Sequence, residues 1–345
     1  MPPDLPTTDP TSIYRYRDGL YAADLLTAAL AHLDFFSWLN ENPSDLETIC
    51  KSLRLHERPT DVMLTLFTAM GLVQARSGEF HLTELGREHL VKTSTWNIGP
   101  YFASLKDRSV CRDMVTVLRT GKPANWGSLQ NEQEWAKAME QETFARNFTE
   151  AMDCRGVYLG PAVAERLDLS GRKHLLDIAG GSGVYACAIV ARHPHLRATI
   201  LERPLVDGIC SKRLADRGFS DRVSVHTRNM FADSFPPGCD VHLFSNVLHD
   251  WDVPRVRDLL AKSFAALPPG GMVVIHDAHI NAEKTGPLPV AAYSALLMNI
   301  TEGKCYSEKE LADLLAKVGF TNVQYSATVA DRSIITARKP SGGVL

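Results

Sequence analysis

The feature that most constrains this chain is the run 174–183 (HLLDIAGGSG), where an apolar, strand-like stretch passes directly into a glycine-rich turn. The residues that follow, 184–191 (VYACAIVA), have the composition of a buried helix. Glycines at such a junction let the backbone approach a ligand closely, and the helix start offers unpaired N–H groups. A strand, a glycine turn and a helix in this order predict an open α/β sheet with a ligand at its edge. Gly181, Gly183 and Ala186 also satisfy the dinucleotide pattern G-x-G-x-x-A, and Glu202 lies about where a ribose-binding acid belongs. The glycines alone therefore leave two cofactors open, a dinucleotide and S-adenosylmethionine.

Asp177 tilts the choice. It ends the strand just before the turn, where a dinucleotide would place its negatively charged pyrophosphate. S-adenosylmethionine carries an ammonium and a sulfonium, and its charge tolerates an acid there. Glu202 can accept both ribose hydroxyls. Taken singly, Asp177 could be a loop cap and Glu202 a solvated strand end, but their joint spacing with the glycines favours a cofactor site.

Around this run, short Val/Ile/Leu-rich segments alternate with helices. Strands are expected at 173–179, 197–202, 222–227, 240–245, 272–278, 322–327 and 333–337. The last two are too close for a helical crossover and should form an antiparallel hairpin that closes a mainly parallel, Rossmann-like sheet. Ahead of it the chain is mostly helical. Apolar residues recur at helical spacing over 14–39, Ser44 with Glu47 suggests a capped helix to Leu53, and a second helix is expected over 59–70. A turn at Ser77 and Gly78 makes a small hairpin, and Thr83 starts another helix. Helix, helix, hairpin is a winged-helix-like pattern.

At 345 residues, two domains are expected. The pattern divides the chain into a disordered leader (1–12), a winged-helix-like domain (13–98), a connecting helical layer broken near Gly121 and around Trp126 and Gly127 (99–170), and a cofactor-binding domain (171–340). Residues 41–90 hold eight acids against five Lys/Arg, and the chain's net charge is -3, so nucleic acid is not an expected partner. No apolar run is long enough to span a bilayer, no signal peptide is apparent, and the seven cysteines are scattered singly. A cytoplasmic protein without membrane partner or metal centre is expected.

The glycine-rich run and five further pieces make a resemblance specific. They are 176–183 (LDIAGGSG), 201–204 (LERP), 229–231 (NMF), 248–252 (LHDWD), 267–271 (LPPGG) and 302–304 (EGK). Across nearly its whole length the chain resembles the small-molecule O-methyltransferases of the caffeate, acetylserotonin and polyketide-tailoring type. That resemblance implies S-adenosylmethionine as cofactor, a homodimer through the N-terminal domain, and a phenol-type hydroxyl on a small aromatic molecule as acceptor. It places Met230 and Phe231 near adenine with Trp251 covering it, Gly180 along the methionine part, and Asn229 among the cofactor-binding residues. Ser245 stands where plant members carry a basic residue.

His249 follows a strand's carboxyl end, where ligands bind in open α/β sheets, and the resemblance makes it the general base. A neutral base needs a carboxylate on its other nitrogen. Asp277 matches that position, whereas Asp250, adjacent in sequence, is expected to face elsewhere. Cys305 occupies the position of the family's second acid. Met152, in a stretch resembling the family's F-x-x-A-M, and Met298 are assigned with Cys305 to the substrate pocket. Cys305 keeps a second reading open, N- or C-methylation or another S-adenosylmethionine-supported reaction on the same scaffold. A nucleotide-binding transcriptional module is a third, opposed by the acidic helices.

Overall fold

The structure, a computed structural model, describes residues 6–124 and 137–341. The chain forms two compact units, and neither is continuous in sequence. One comprises 1–12, 133–279 and 308–345, the other 13–132 and 280–307.

The helical unit begins with α1 (Thr11–Asp18), α2 (Ala22–Ala31) and α3 (Phe35–Glu41) where one periodic stretch was expected. The breaks have local causes. The chain turns at Gly19, where a Cβ would sit tightly at 3.0 Å from the Arg15 carbonyl oxygen, and Asp34 adopts a left-handed φ of 52°. Helix α1 also starts inside the expected leader, where the Asp9 carboxylate accepts the Thr11 N–H at 2.9 Å. Helix α4 (Leu46–Leu53) is capped by Asp45, which accepts the Thr48 N–H at 2.8 Å, rather than by Ser44. Ser44 is engaged otherwise, its carbonyl accepting the Phe80 N–H at 2.8 Å. Helix α5 (Glu57–Ala69) leads to the hairpin β1 (Val73–Arg76) and β2 (Glu79–Leu82), turned at Ser77 and Gly78, both with positive φ. Thr83 caps α6 (Glu84–Leu90) as expected. After α7 (Gly99–Ala103), α8 (Ser109–Thr120) ends on left-handed Gly121. The break expected around Trp126 and Gly127 lies outside the described residues. Phe35, Phe36 and Phe67, all fully buried, meet with ring centroids 5.2–5.8 Å apart and form the centre of this unit.

The other unit holds the long helix α9 (Glu142–Arg166) and a seven-stranded sheet. In chain order the sheet unit runs β3 (His174–Ile178), α10 (Val184–Arg192), β4 (Arg197–Glu202), α11 (Val206–Arg217), β5 (Val223–Thr227), β6 (Val241–Ser245), α12 (Val253–Ala266) and β7 (Met272–Asp277). The chain then leaves it. Residues 280–307, with α13 (Leu288–Ile300), belong to the helical unit, and α14 (Glu308–Val318), β8 (Thr321–Ala327) and β9 (Ser333–Arg338) return to the sheet. The expected division at 98 and 170 differs from this one, because α13 is apolar all round and packs within the helical unit. Arg58 of α5 donates to the Met298 and Gly303 carbonyls at 3.2 and 2.7 Å, and Asp61 pairs with Lys284 and Lys304.

Strand order is β5-β4-β3-β6-β7-β9-β8, parallel except for β9, which is antiparallel to both neighbours. The mainly parallel sheet with an antiparallel closing pair is as the sequence predicts. Progression reverses between β3 and β6, and a crevice opens outside the carboxyl ends of strands at such a reversal. Helix α9 lies close on α10 because two glycines permit it. A Cβ on Gly156 would fall 2.2 Å from Val184 Cγ1, and one on Gly160 would fall 3.1 Å from the Ala188 Cβ.

Candidate active site

The glycine loop leaves β3 through Ala179, whose φ of 55° is left-handed despite its side chain, and reaches α10 through Gly181 (φ 59°) and Gly183 (φ 77°). Strained backbone of this kind concentrates at ligand sites. A Cβ on Gly180 would lie 2.6 Å from Asp177 Oδ2, and one on Gly183 would lie 2.5 Å from Ile200 Cδ1. The loop therefore rests directly on the Asp177 carboxyl and on β4. Asp177 is fully buried, and among the described residues its oxygens meet no donor closer than the weakly placed Ala186 amide. Burial pushes it up to about 7, Glu202 adds to the rise, and the Ala186 amide offsets only part. Glu202 accepts the Gly181 N–H at 2.9 Å and the Arg203 N–H at 2.8 Å. It too is pushed up to about 7, by burial against the pull of those two amides.

Across the reversal point, β6 ends at Ser245 and a 3-10 turn, Leu248–Asp250, carries His249. Asp252 then caps α12 by accepting the Arg255 N–H at 3.0 Å. His249 is 4% exposed, and its Nδ1 lies 2.5 Å from Asp277 Oδ1. Asp277 also accepts the Ala278 N–H at 2.8 Å. Burial raises its carboxyl, but His249 and these hydrogen bonds prevail and hold it at about 2. Asp250 does not face elsewhere. Its Oδ1 lies 3.5 Å from His249 Nε2, because the tight turn folds the next side chain back toward the ring. Burial lowers the His249 pKa, yet Asp277 and Asp250 outweigh it and the net shift is upward.

Phe231 and Trp251 meet edge to face with centroids 4.7 Å apart, and the Arg255 guanidinium lies 4.6 Å from the Phe231 centroid. Asn229 shapes the loop that carries Met230, its Oδ1 accepting the Phe231 N–H at 2.8 Å, while Lys262 Nζ binds the Met230 and Phe231 carbonyls. Ser245 sits in a polar network that the sequence reading did not anticipate. Its hydroxyl is 2.8 Å from His276 Nδ1, and the Asn246 amide donates to Ser245 Oγ at 3.2 Å and to the Tyr185 hydroxyl at 3.1 Å. Burial drives His276 down to about 3 and keeps it neutral. Arg155 of α9 acts electrostatically on Tyr185, His249, Asp250 and His276. No short motif marks these residues, although a histidine directly before Asp277 was visible.

Met152 is half-buried on α9 in the sheet unit. Met298 and Cys305 are buried in the helical unit, where the Cys305 N–H donates to Ser294 Oγ at 3.1 Å. Among the described residues no group of three or more His, Cys, Asp or Glu is placed to hold a metal ion. No helix among them is long and apolar enough to cross a membrane.

The glycine cradle, the acid pair beneath it and the His249–Asp277 pair across the sheet reversal are one arrangement, and a sequence model of the O-methyltransferase domain matches residues 112–321, more than half of the chain. The chain belongs to the O-methyltransferase family. This methyltransferase is 36% identical to a solved O-methyltransferase family 2 protein from Planctomyces limnophilus in complex with apigenin, with a TM-score of 0.88 and 97% of each chain covered. It is 28% identical to the 3-hydroxy-5-methyl-1-naphthoate 3-O-methyltransferase of Streptomyces sahachiroi, over 91% of this chain and 90% of that one. It is also 30% identical to the L-tyrosine C(3)-methyltransferase of Streptomyces lavendulae, over 88% and 84%. The cofactor of this methyltransferase is S-adenosylmethionine. The residues present suit it, since Asp177 offers buried carboxyl oxygens with spare acceptor capacity beside a loop in which Gly180 and Gly183 leave little room for a Cβ.

Proposed function

We propose that this methyltransferase methylates a hydroxyl of a small aromatic molecule, with His249 as the base that removes the hydroxyl proton. The observation that carries this reading is the 2.5 Å contact of His249 Nδ1 with Asp277. An anionic Asp277 holds the Nδ1 proton, which leaves Nε2 with the lone pair. A phenol with a pKa of about 10 is largely protonated at neutral pH, so a positioned base is what the chain must add. Bound cofactor supplies a methyl carbon already activated by its sulfonium.

In this reading Asp177, Gly180, Gly181 and Gly183 hold the methionine part, and Glu202 accepts the ribose hydroxyls with the lone pairs its two amide contacts leave over. Asn229 fixes the loop of Met230 and Phe231, and Trp251 joins them around adenine. Ser245 contributes a polar contact in place of a basic residue. Met152, half-buried on α9, is proposed to line the acceptor pocket. An aromatic acceptor is supported by the apigenin complex and the naphthoate named for two relatives. The scattered cysteines suit a reducing, cytoplasmic setting, and the acidic balance of residues 41–90 speaks against nucleic acid.

Cys305 and the tyrosine C(3)-methyltransferase relative favour a second reading, methylation at carbon. The two separate when purified protein is incubated with cofactor and a panel of phenols, flavonoids and hydroxynaphthoates. A product one methyl heavier whose carbon NMR places that methyl on oxygen is expected. A methyl on carbon or nitrogen would overturn the first reading.

The N-terminal unit is proposed to dimerise, as its exposed Ile13, Tyr16 and Trp96 suit an apolar interface. Light scattering during gel filtration should give twice the chain mass, and a monomer at micromolar concentration would remove the proposal.

A further inference from the structure

Asp177 and Glu202 lie at the ends of adjacent parallel strands, β3 and β4, and both carboxyls touch one loop. Gly180 lies against Asp177, and Gly181 donates its N–H to Glu202 at 2.9 Å. Neither acid reaches solvent appreciably, with 0% of Asp177 and 8% of Glu202 exposed. Their surroundings offer little compensation. From α10 come the Ala186 amide and the Cys187 thiol, which burial pushes up to about 12 and so keeps neutral. From α11 come Cys210, raised by burial and by both acids, and Asp207, a further acid bonded to the Thr227 hydroxyl at 2.6 Å. Arg203 at the end of β4 acts on Glu202, whereas Arg217 of α11 is engaged by Asp153 of α9 at 2.7 and 2.8 Å. Among the described residues no cation offsets Asp177.

We propose that this acid pair holds a proton in the cofactor-free enzyme and releases it when S-adenosylmethionine binds, so that cofactor affinity is linked to pH. Two buried carboxyls at one site resist being charged together, and one keeps its O–H bond. The cofactor brings an ammonium, a sulfonium and ribose hydroxyls, all of which favour the ionised form. On binding, the carboxyl O–H bond breaks and the proton passes to solvent, with nothing oxidised or reduced. Both acids, pushed up by burial to about 7, are poised for this near neutrality. The inference rests on the placement of the cofactor at the glycine loop proposed above.

The test is calorimetry of S-adenosylmethionine binding at about pH 6.5 in buffers of different ionisation enthalpy. At that pH the cofactor's own amine, with a pKa near about 8, stays protonated. The slope of observed heat against buffer enthalpy should give release of about 0.5–1 proton per cofactor, and Kd should tighten about three- to tenfold from pH 6 to pH 7. Asp177→Asn and Glu202→Gln should each lower the release, and the double variant should bring it to near zero. A zero slope in the wild-type protein overturns the proposal, as does full release retained in a variant that still binds, since the proton would then come from elsewhere, such as His249. Complete absence of binding heat in the wild-type protein would instead strike at the cofactor placement itself.

Discussion

Replacing His249 with Ala is expected to lower kcat about 10²–10⁴-fold while changing cofactor affinity by less than about threefold. The ring lies against Asp277 and Asp250, while Gly181 of the cradle is held by Glu202, so the loss of the ring is expected to remove proton transfer and spare the cradle. The pH profile carries a second readout with a definite sign. Burial lowers the His249 pKa, but the two carboxylates prevail, and only the deprotonated ring can act as base. Rate should therefore rise with pH, and the acid limb of kcat/KM should inflect above 6.5, the ordinary value for histidine. Asp277→Asn should slow turnover and move that limb downward. Asp250→Asn should move it downward with a smaller loss, because Asp250 faces Nε2 at 3.5 Å and is partly exposed. A wild-type limb well below 6.5, or undiminished turnover in the Ala variant, would remove His249 from the chemistry.

The second large effect is expected at Gly183. Its φ of 77° disfavours any other residue, and a Cβ there would lie 2.5 Å from Ile200 Cδ1 and 3.2 Å from Leu214 Cδ2. Gly183→Ala should weaken S-adenosylmethionine binding at least about tenfold and destabilise the fold by about 1–3 kcal/mol, through backbone strain and overpacking together. Gly181 supplies the internal comparison. It has a φ of 59° but open space where a Cβ would go, so Gly181→Ala carries the strain without the clash. Binding calorimetry and denaturant midpoints check both variants. Equal losses at the two positions would show that contact with β4 is not what the third glycine protects.

Much of this site could be read from the chain because its parts are local. A strand's apolar run, the glycines behind it and the acid two strand residues before the loop are specified within 174–183, and Asp252 caps α12 from its place in the chain. Strand positions were equally legible, since β-branched segments bounded by turns leave few alternatives. What could not be read depends on packing between distant residues. Asp250 turns back to His249 because a 3-10 turn forms there, which the string LHDWD does not encode. Ser44 loses its capping role to Asp45 because its backbone bridges to Phe80, far along the chain. Tyr185, Asn246 and His276 converge on Ser245 only once β6 and β7 pair side by side.

The excursion of residues 280–307 into the helical unit bears on how such proteins can be recombined. A single cut near residue 133 yields no self-sufficient catalytic fragment, because the piece after it still contains α13, with Val290, Ala291, Leu297 and Met298 deprived of the helices they pack against. That fragment would present an apolar helix to water and should aggregate. The helical unit of this chain can be exchanged only by swapping two segments at once, because α13 reaches it from within the sheet unit's sequence.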